Sequence, residues 1–461
     1  MTAKMPEPIH HPSSYKDPSG FVFQVNGVYH RQVNQSYAAD YTLLMDSGLY
    51  TALTEKGWLI PHQEIPGNPT GSADWYKTLL PGHLDQITYP YEWGFEQLRD
   101  AALHTLSILS MAMQRGMILK DATPFNIQFV RGKPLFIDTL SFERYDPALP
   151  WVAYRQFCEC FLFPLYLEHY CGIELGKLLT AYPDGIPADV TARLLPGKSR
   201  FNPGALMHVH LQSWVKTGNG PRQGKSPAFS QQKLTNLVEN LAGIVGKLRT
   251  RVTSLSTWNN YYGRTILSRN YLEEKEKLFR HFIDGISFRT VLDMGANDGY
   301  FSQLLAERSD ADVIAIDADA ACINNLYNKH ISNILPLNID ILHPSPALGF
   351  RNKERSSFND RFRAELVVAL ALVHHLVLSG NVPVPDVAGH LAELSTRLLI
   401  IEFVPLEDEK AQELIRNKHR WHLPYDEHSF EQFFLEYFTI EKKSRVPGTE
   451  RILYMMKKHL S

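Results

Sequence analysis

The sequence predicts an α/β chain of two unlike halves, a parallel sheet in the second and an α+β arrangement in the first. Three observations lead there. Beyond residue 271, apolar runs of strand length alternate with segments of helical spacing, the pattern of a parallel sheet covered by helices. Before residue 225 that alternation gives way to short aromatic runs, most of the prolines and one long helical stretch at 95–114. Between the halves, 218–227 (GNGPRQGKSP) gathers Gly, Pro and Ser with little apolar content, which is linker composition. The 461 residues therefore divide into 1–225, a helical connector over 226–270, and 271–461.

Composition narrows the class. Lys and Arg number 47 against 49 Asp and Glu, a formal charge of -2, so the chain lacks the basic field of a dedicated nucleic-acid or anionic-membrane binder. Cys158, Cys160, Cys171 and Cys322 lack the paired spacing of a zinc site and read as reduced thiols, with no metal expected. The first 14 residues have no apolar core of a signal peptide, and 157–171 is too short to span a bilayer and carries Glu159, Glu168 and His169. The expectation is a soluble, cytoplasmic chain without membrane insertion. The sequence leaves the oligomeric state unknown.

The elements of the second half follow in order. Residues 271–283 (YLEEKEKLFRHFI) have the spacing of an amphipathic helix with Leu272, Leu278, Phe279 and Phe282 available for one face. Strand-like runs follow at 290–295, 312–317, 333–338, 365–372 and 397–404, with a helix over 300–308 between the first two. Two further runs, 438–443 and 451–457, flank Pro447-Gly448, a turn signal suited to a closing hairpin. The connection 343–362 is unusually long, and such loops tend to be lids or binding loops.

The strongest chemical signal is T-V-L-D-M-G-A-N-D-G-Y at 290–300. Gly295 and Gly299 lack a Cβ, so the turn between strand and helix can be tight and its backbone can approach a ligand. Asn297 also tolerates left-handed backbone. A second strand ends in Asp317, where a parallel sheet places a carboxylate against a ribose diol. Asp293 and Asp298 make the loop a poor phosphate site and suit a cationic or zwitterionic ligand.

This pattern resembles motif I of the class I S-adenosylmethionine-dependent methyltransferases, with Asn297 where the family often has a middle glycine. The resemblance covers about 271–459 and implies a Rossmann-like seven-stranded sheet with an antiparallel last strand. It implies S-adenosylmethionine as cofactor, with Asp293, Gly295, Asn297 and Gly299 about its methionine part, Asp317 on the ribose hydroxyls and Asp340 near the adenine. The run A-L-V-H-H-L and the long connection 343–362 are also similar to those of bacterial nodulation-associated methyltransferase-like proteins.

The expected methyl-transfer centre lies at the strand carboxyl ends. His374 and His375 follow the fourth strand there, and a neutral imidazole can take a proton from a hydroxyl acceptor. Glu402 ends the fifth strand and is a third candidate, orienting substrate or histidine. Absence of an Asn/Asp-Pro-Pro-Tyr type motif favours oxygen or carbon acceptors, on a small molecule or saccharide. The segment 417–430, rich in His, Arg, Trp and Tyr, reads as a substrate-facing loop.

A second constellation stands at 116–143. Asp121 and Asn126 have D-x-x-x-x-N spacing, and Asp138 follows a short apolar strand. Phosphoryl transfer needs an Asp to orient a hydroxyl, and an Asn with a second Asp to hold Mg²⁺. The first half thus resembles the aminoglycoside phosphotransferase and protein-kinase-like fold, which would imply ATP with Mg²⁺. It departs from it in Leu119 at the expected His position, in Asp138-Thr139-Leu140 for D-F-G, and in the missing Gly-rich loop. Arg31, Lys56 and Lys77 are the only early basic candidates for the phosphate-clamping lysine. The resulting expectation is a methyltransferase whose degenerate kinase-like module recognises substrate. A bifunctional kinase–methyltransferase and a non-catalytic ligand-binding scaffold are the alternatives.

Overall fold

The computed structural model describes residues 7–174, 176–216, 230–251, 269–308, 311–416 and 424–459. The linker 218–227, the aromatic run 258–262 and the first residues of the 417–430 segment lie outside them. The chain forms two compact units, one of residues 1–252 with 347–356, the other of 253–346 with 357–461.

In the second unit seven strands make one sheet. They are β1 (Thr290–Met294), β2 (Asp312–Asp317), β3 (Ile334–Asn338), β4 (Ala364–Ala369), β5 (Ser395–Phe403), β6 (Phe438–Arg445) and β7 (Ile452–Lys458). Their spatial order is β3-β2-β1-β4-β5-β7-β6. The first five run parallel, and β7 enters antiparallel between β5 and β6. The apolar continuity of the central runs has its cause here. Val291, Leu292, Val313, Ile314, Leu366, Val367, Leu399 and Ile400 are all buried, because helices cover both faces. Strand β6 instead, after the buried Phe438, alternates exposed and half-buried residues, and its Lys442 and Lys443 mark a charged edge.

Four helices bear on the site: α1 (Arg269–Ile283), α2 (Tyr300–Ala306), α3 (Ala320–Tyr327) and α4 (Val384–Leu394). Phe279, Phe282 and Ile283 of α1 and Phe301 and Leu305 of α2 join Val291, Val313 and Val368 in one core. The chain moves outward from β1 to β3 and then returns to place β4 on the other side of β1. That reversal between β1 and β4 is a topological switch point, where loops at the strand carboxyl ends diverge and leave a crevice.

The first unit begins with a five-stranded antiparallel sheet ordered Ile9–His10, Gly20–Val25, Val28–Asn34, Trp75–Pro81, His62–Ile65. Helices Ala38–Asp46 and Leu49–Glu55 connect the third strand in chain order to the fourth. The long helix Phe95–Met113 follows, then the pair Met117–Leu119 with Phe142–Arg144 and the hairpin Ile127–Val130 with Lys133–Phe136. The remainder of the unit is helical. Tyr91 and Trp93 of the aromatic run 89–93 are buried, Trp93 edge-on to Phe129, so that run is core packing. Helix Gln231–Val245, expected in a connector, packs in this unit through Leu234, Val238, Leu241 and Val245. Its amphipathic stripe has a partner there in the long helix Phe95–Met113.

Candidate functional site

The loop after β1 is built from left-handed backbone. Gly295, Asn297 and Gly299 have φ of 73°, 53° and 77°. At Gly299 a Cβ would lie 2.4 Å from the Leu326 side chain, so any other residue would have to displace that side chain as well as hold a left-handed φ. At Gly295 a Cβ would meet Leu372 at 3.3 Å, which shows how closely the loops after β1 and β4 approach at the switch point.

The loop is stitched to the end of β2. The amides of Gly295 and Ala296 donate to the Ile316 carbonyl at 2.9 and 3.0 Å. The Asn297 amide donates to Asp317 Oδ2 at 2.7 Å, and the Asp319 amide to Asp317 Oδ1 at 2.8 Å. Burial raises the Asp317 carboxyl above the usual range, against these two amides. Asp293 is buried and takes a 2.5 Å hydrogen bond from the Ser302 hydroxyl. Burial pushes its carboxyl up to about 6, with Ser302 opposing and the Asp317 charge adding to the rise. Asp340 follows β3, and its side chain accepts from the Leu342 amide at 2.9 Å. Asp293, Gly295, Asn297, Gly299, Asp317 and Asp340 thus stand together at the carboxyl ends of three adjacent strands.

Across the switch point, Ala371 holds φ of 51°, unusual for a residue with a Cβ. His374 and His375 follow, with ring centroids 4.1 Å apart. His374 is fully buried, and neither ring nitrogen has a hydrogen-bond partner among the described residues. Burial first, then His375 and two buried cations, hold it well below the usual imidazole range. Burial brings His375 down to about 4, helped by Arg451. Both rings are therefore neutral at pH 7.

Glu402 is placed differently from the sequence expectation. It is fully buried and bound to α1: Lys275 Nζ donates to Oε2 at 2.5 Å and Tyr271 Oη to Oε1 at 2.8 Å. Arg451, also buried, reaches it at 3.9 Å, donates to Tyr271 Oη at 3.0 Å, and makes a fork on Asp408 at 2.7 and 3.0 Å. Two cations and two carboxylates cancel. Burial alone would raise the Glu402 carboxyl, but Lys275 and Arg451 hold it below its ordinary value. With its charge spent on Lys275, Glu402 positions α1. Sequence reasoning missed Lys275 and Arg451, although Lys275 sits between Tyr271 and Phe279 at i±4 on the apolar face of its helix, an available signal.

In the first unit Asp121, Asn126 and Asp138 do come together, and basic residues close around them. Arg31 Nη2 lies 2.7 Å from Asp138 Oδ1 and 3.7 Å from Asp17. Lys120 Nζ donates to Ser19 Oγ at 2.5 Å and lies 3.8 Å from Asp17. The Ser141 hydroxyl donates to Asp138 Oδ2, and Asn126 donates to Ser141 at 3.2 Å. Burial raises the Asp121 carboxyl, with the Asp138 charge adding to it. Of the other early basic residues, Lys77 pairs with Glu64 at 2.7 Å and Lys56 lies over the Trp58 ring. Arg31 therefore occupies Asp138 directly, in a position where phosphoryl transfer would use the carboxylate for a metal ion.

No protein-family model matches the chain. The nodulation protein NoeA of Rhizobium meliloti (strain 1021) is 28% identical over 471 residues, covering 98% of this chain and 97% of that protein. Among solved structures, the N-methyltransferase NodS from Bradyrhizobium japonicum WM9 in complex with S-adenosyl-L-homocysteine aligns with a TM-score of 0.30. It is 14% identical, over 41% of this chain and 88% of that one. The bifunctional kinase–methyltransferase WbdD aligns with a TM-score of 0.28 and 18% identity, over 41% of this chain and 39% of that one. No helix among the described residues is long and apolar enough to cross a membrane.

Proposed function

We propose that the second unit is an S-adenosylmethionine-dependent methyltransferase acting on a hydroxyl or carbon of a small-molecule or saccharide acceptor. One observation carries the reading: the order β3-β2-β1-β4-β5-β7-β6 sets Asp293, the left-handed loop and Asp317 at the carboxyl ends beside the switch point. The residues fit the cofactor. Asp317 still has lone pairs for a ribose diol beyond its two amides, and the acidic pair Asp293 and Asp317 favours a cationic ligand over a phosphate. Bound S-adenosylmethionine supplies an electrophilic methyl group on a sulfonium. The chain's own residues orient the acceptor, and a neutral imidazole of His374 or His375 takes the acceptor's proton on a ring nitrogen. Glu402, Lys275, Tyr271 and Arg451 hold α1 in place.

The first unit is assigned to substrate recognition on a kinase-like scaffold, because Arg31 neutralises Asp138 where a transferase would keep it for Mg²⁺. The near-zero charge favours a neutral or small acceptor. Calorimetric titration with S-adenosylhomocysteine tests the cofactor. Mass spectrometry of saccharide, small-metabolite and RNA pools incubated with labelled S-adenosylmethionine tests the acceptor class. Absence of S-adenosylhomocysteine binding would sink the reading.

A further inference from the structure

The connection that leaves the sheet after β3 does not stay with the sheet's unit. Residues 347–356 belong to the first unit and fold there as a closed loop. Leu348 and Arg355 exchange backbone hydrogen bonds of 3.0 and 3.1 Å. Arg351 and Asn352 take left-handed φ of 58° and 55° at its turn. Gly349, at φ 84°, admits no side chain, since a Cβ would fall 2.5 Å from Glu354.

The loop is gripped at two places. Glu354 is buried and accepts from Lys16 Nζ at 3.0 Å, the Phe350 amide at 2.8 Å and the Tyr15 hydroxyl. Burial alone would raise its carboxyl, yet these donors bring it down to about 2. Arg355 lies 3.8 Å from the Phe125 ring centroid, and the Ser356 amide donates to Tyr89 Oη at 3.0 Å. Tyr15 and Lys16 immediately precede Asp17, and Phe125 immediately precedes Asn126. The loop therefore holds the two segments that carry Asp17 and Asn126, two members of the ion cluster that Arg31 and Asp138 complete. In the other direction along the chain, Asp340 and its turn at Leu342 and His343 lead into it.

We propose that residues 347–356 are a coupling strap: their grip on the first unit sets the conformation of the β3–β4 connection and so the affinity of the Asp317–Asp340 edge for its nucleoside ligand. This rests on the cofactor reading above. A buried carboxylate with four donors, Arg355 Nη1 at 3.3 Å among them, a stacked guanidinium and a glycine that tolerates no Cβ are more than a passive surface connection requires. A ligand that disturbs the first unit's ion cluster would act on cofactor affinity through the same ten residues.

The test uses the full chain in three forms: wild type, the double variant Glu354→Ala with Arg355→Ala, and a chain in which 347–356 is replaced by a Gly-Ser run of equal length. Limited proteolysis reads the grip, and calorimetric titration with S-adenosylhomocysteine reads the coupling. Both altered chains should be cut faster within 343–362 and bind about tenfold more weakly, in the range of ordinary coupling between sites. Unchanged cutting in the double variant overturns the grip. Affinity within about twofold of wild type in the Gly-Ser chain overturns the coupling. A wild-type chain that takes no S-adenosylhomocysteine refutes the cofactor reading and the coupling with it, while the cutting pattern still decides whether the loop is gripped.

Discussion

Lys275 Nζ donates to Glu402 Oε2 at 2.5 Å with both side chains sealed from solvent, tying the helix before the sheet to the end of β5. Removing one partner of such a pair leaves the other charge buried, which costs about 3–5 kcal/mol. Glu402→Gln and Lys275→Met should each destabilise the second unit by about that amount in urea unfolding. The double variant Lys275→Met with Glu402→Leu should recover part of the loss, because neither charge is then stranded. Single-variant costs below about 1 kcal/mol would show that the pair does not clamp the helix. The pH dependence has a definite sign. Glu402 titrates below its unfolded value, so its contribution is present above about pH 4.3 and lost as pH falls through the folded value. The Glu402→Gln chain should lack that acid-dependent component.

Asp317 receives the Asn297 amide at 2.7 Å, which makes it both part of the loop and the candidate ribose ligand. Asp317→Ala should abolish S-adenosylhomocysteine binding by calorimetry while circular dichroism shows the sheet retained. Asp317→Asn should bind weakly, since its carbonyl oxygen still accepts while the charge is gone. Wild-type affinity in Asp317→Ala would remove the residue from the site.

The fold of the second unit was largely legible because period and composition act locally. Runs buried on both faces must be apolar, so β1 to β5 show directly, and Pro447-Gly448 marks the hairpin of β6 and β7. Gly295, Asn297 and Gly299 were legible for the same reason, because left-handed backbone selects residue types at fixed positions. The role of Glu402 was not. Its partners come from 127 and 49 positions away, Lys275 and Arg451, and no local pattern encodes such a meeting. Arg31 on Asp138 is a similar case, a pair that closes only once the antiparallel sheet has formed over the Asp121–Asn126 loop. The connection 343–362 stands out by its length, but that its residues 347–356 belong to the first unit depends on Tyr15, Tyr89 and Phe125, all far upstream.

His375 is brought to about 4 by burial, and His374 is held well below its ordinary range. Both are neutral at pH 7, the state a proton acceptor needs. His374→Ala with His375→Ala should reduce turnover by about 10²–10⁴-fold with little change in S-adenosylhomocysteine affinity. Undiminished turnover would end the general-base assignment. A folded value below the unfolded 6.5 means that stability is complete above pH 6.5 and declines as pH falls toward 4. The double variant should show a shallower decline across that window, measured as melting temperature against pH.

Arg31 and Asp138 decide what the first unit can do. The guanidinium sits 2.7 Å from one carboxylate oxygen, and Ser141 holds the other, so a divalent ion would have to displace both. Asp17 and the raised carboxyl of Asp121 stand close by, and without Arg31 three acidic residues would share the cleft. Wild-type protein should therefore show no ATP hydrolysis and no Mg²⁺-dependent stabilisation by ATP. Arg31→Ala should melt at lower temperature and regain part of the loss in millimolar MgCl₂, as the ion replaces the missing positive charge. Arg31→Lys should melt near wild type and stay indifferent to Mg²⁺, because an ammonium restores the positive charge beside Asp138. Phosphotransfer by wild type that disappears in Asp138→Ala would refute the self-neutralised cleft and establish a second enzyme in the chain.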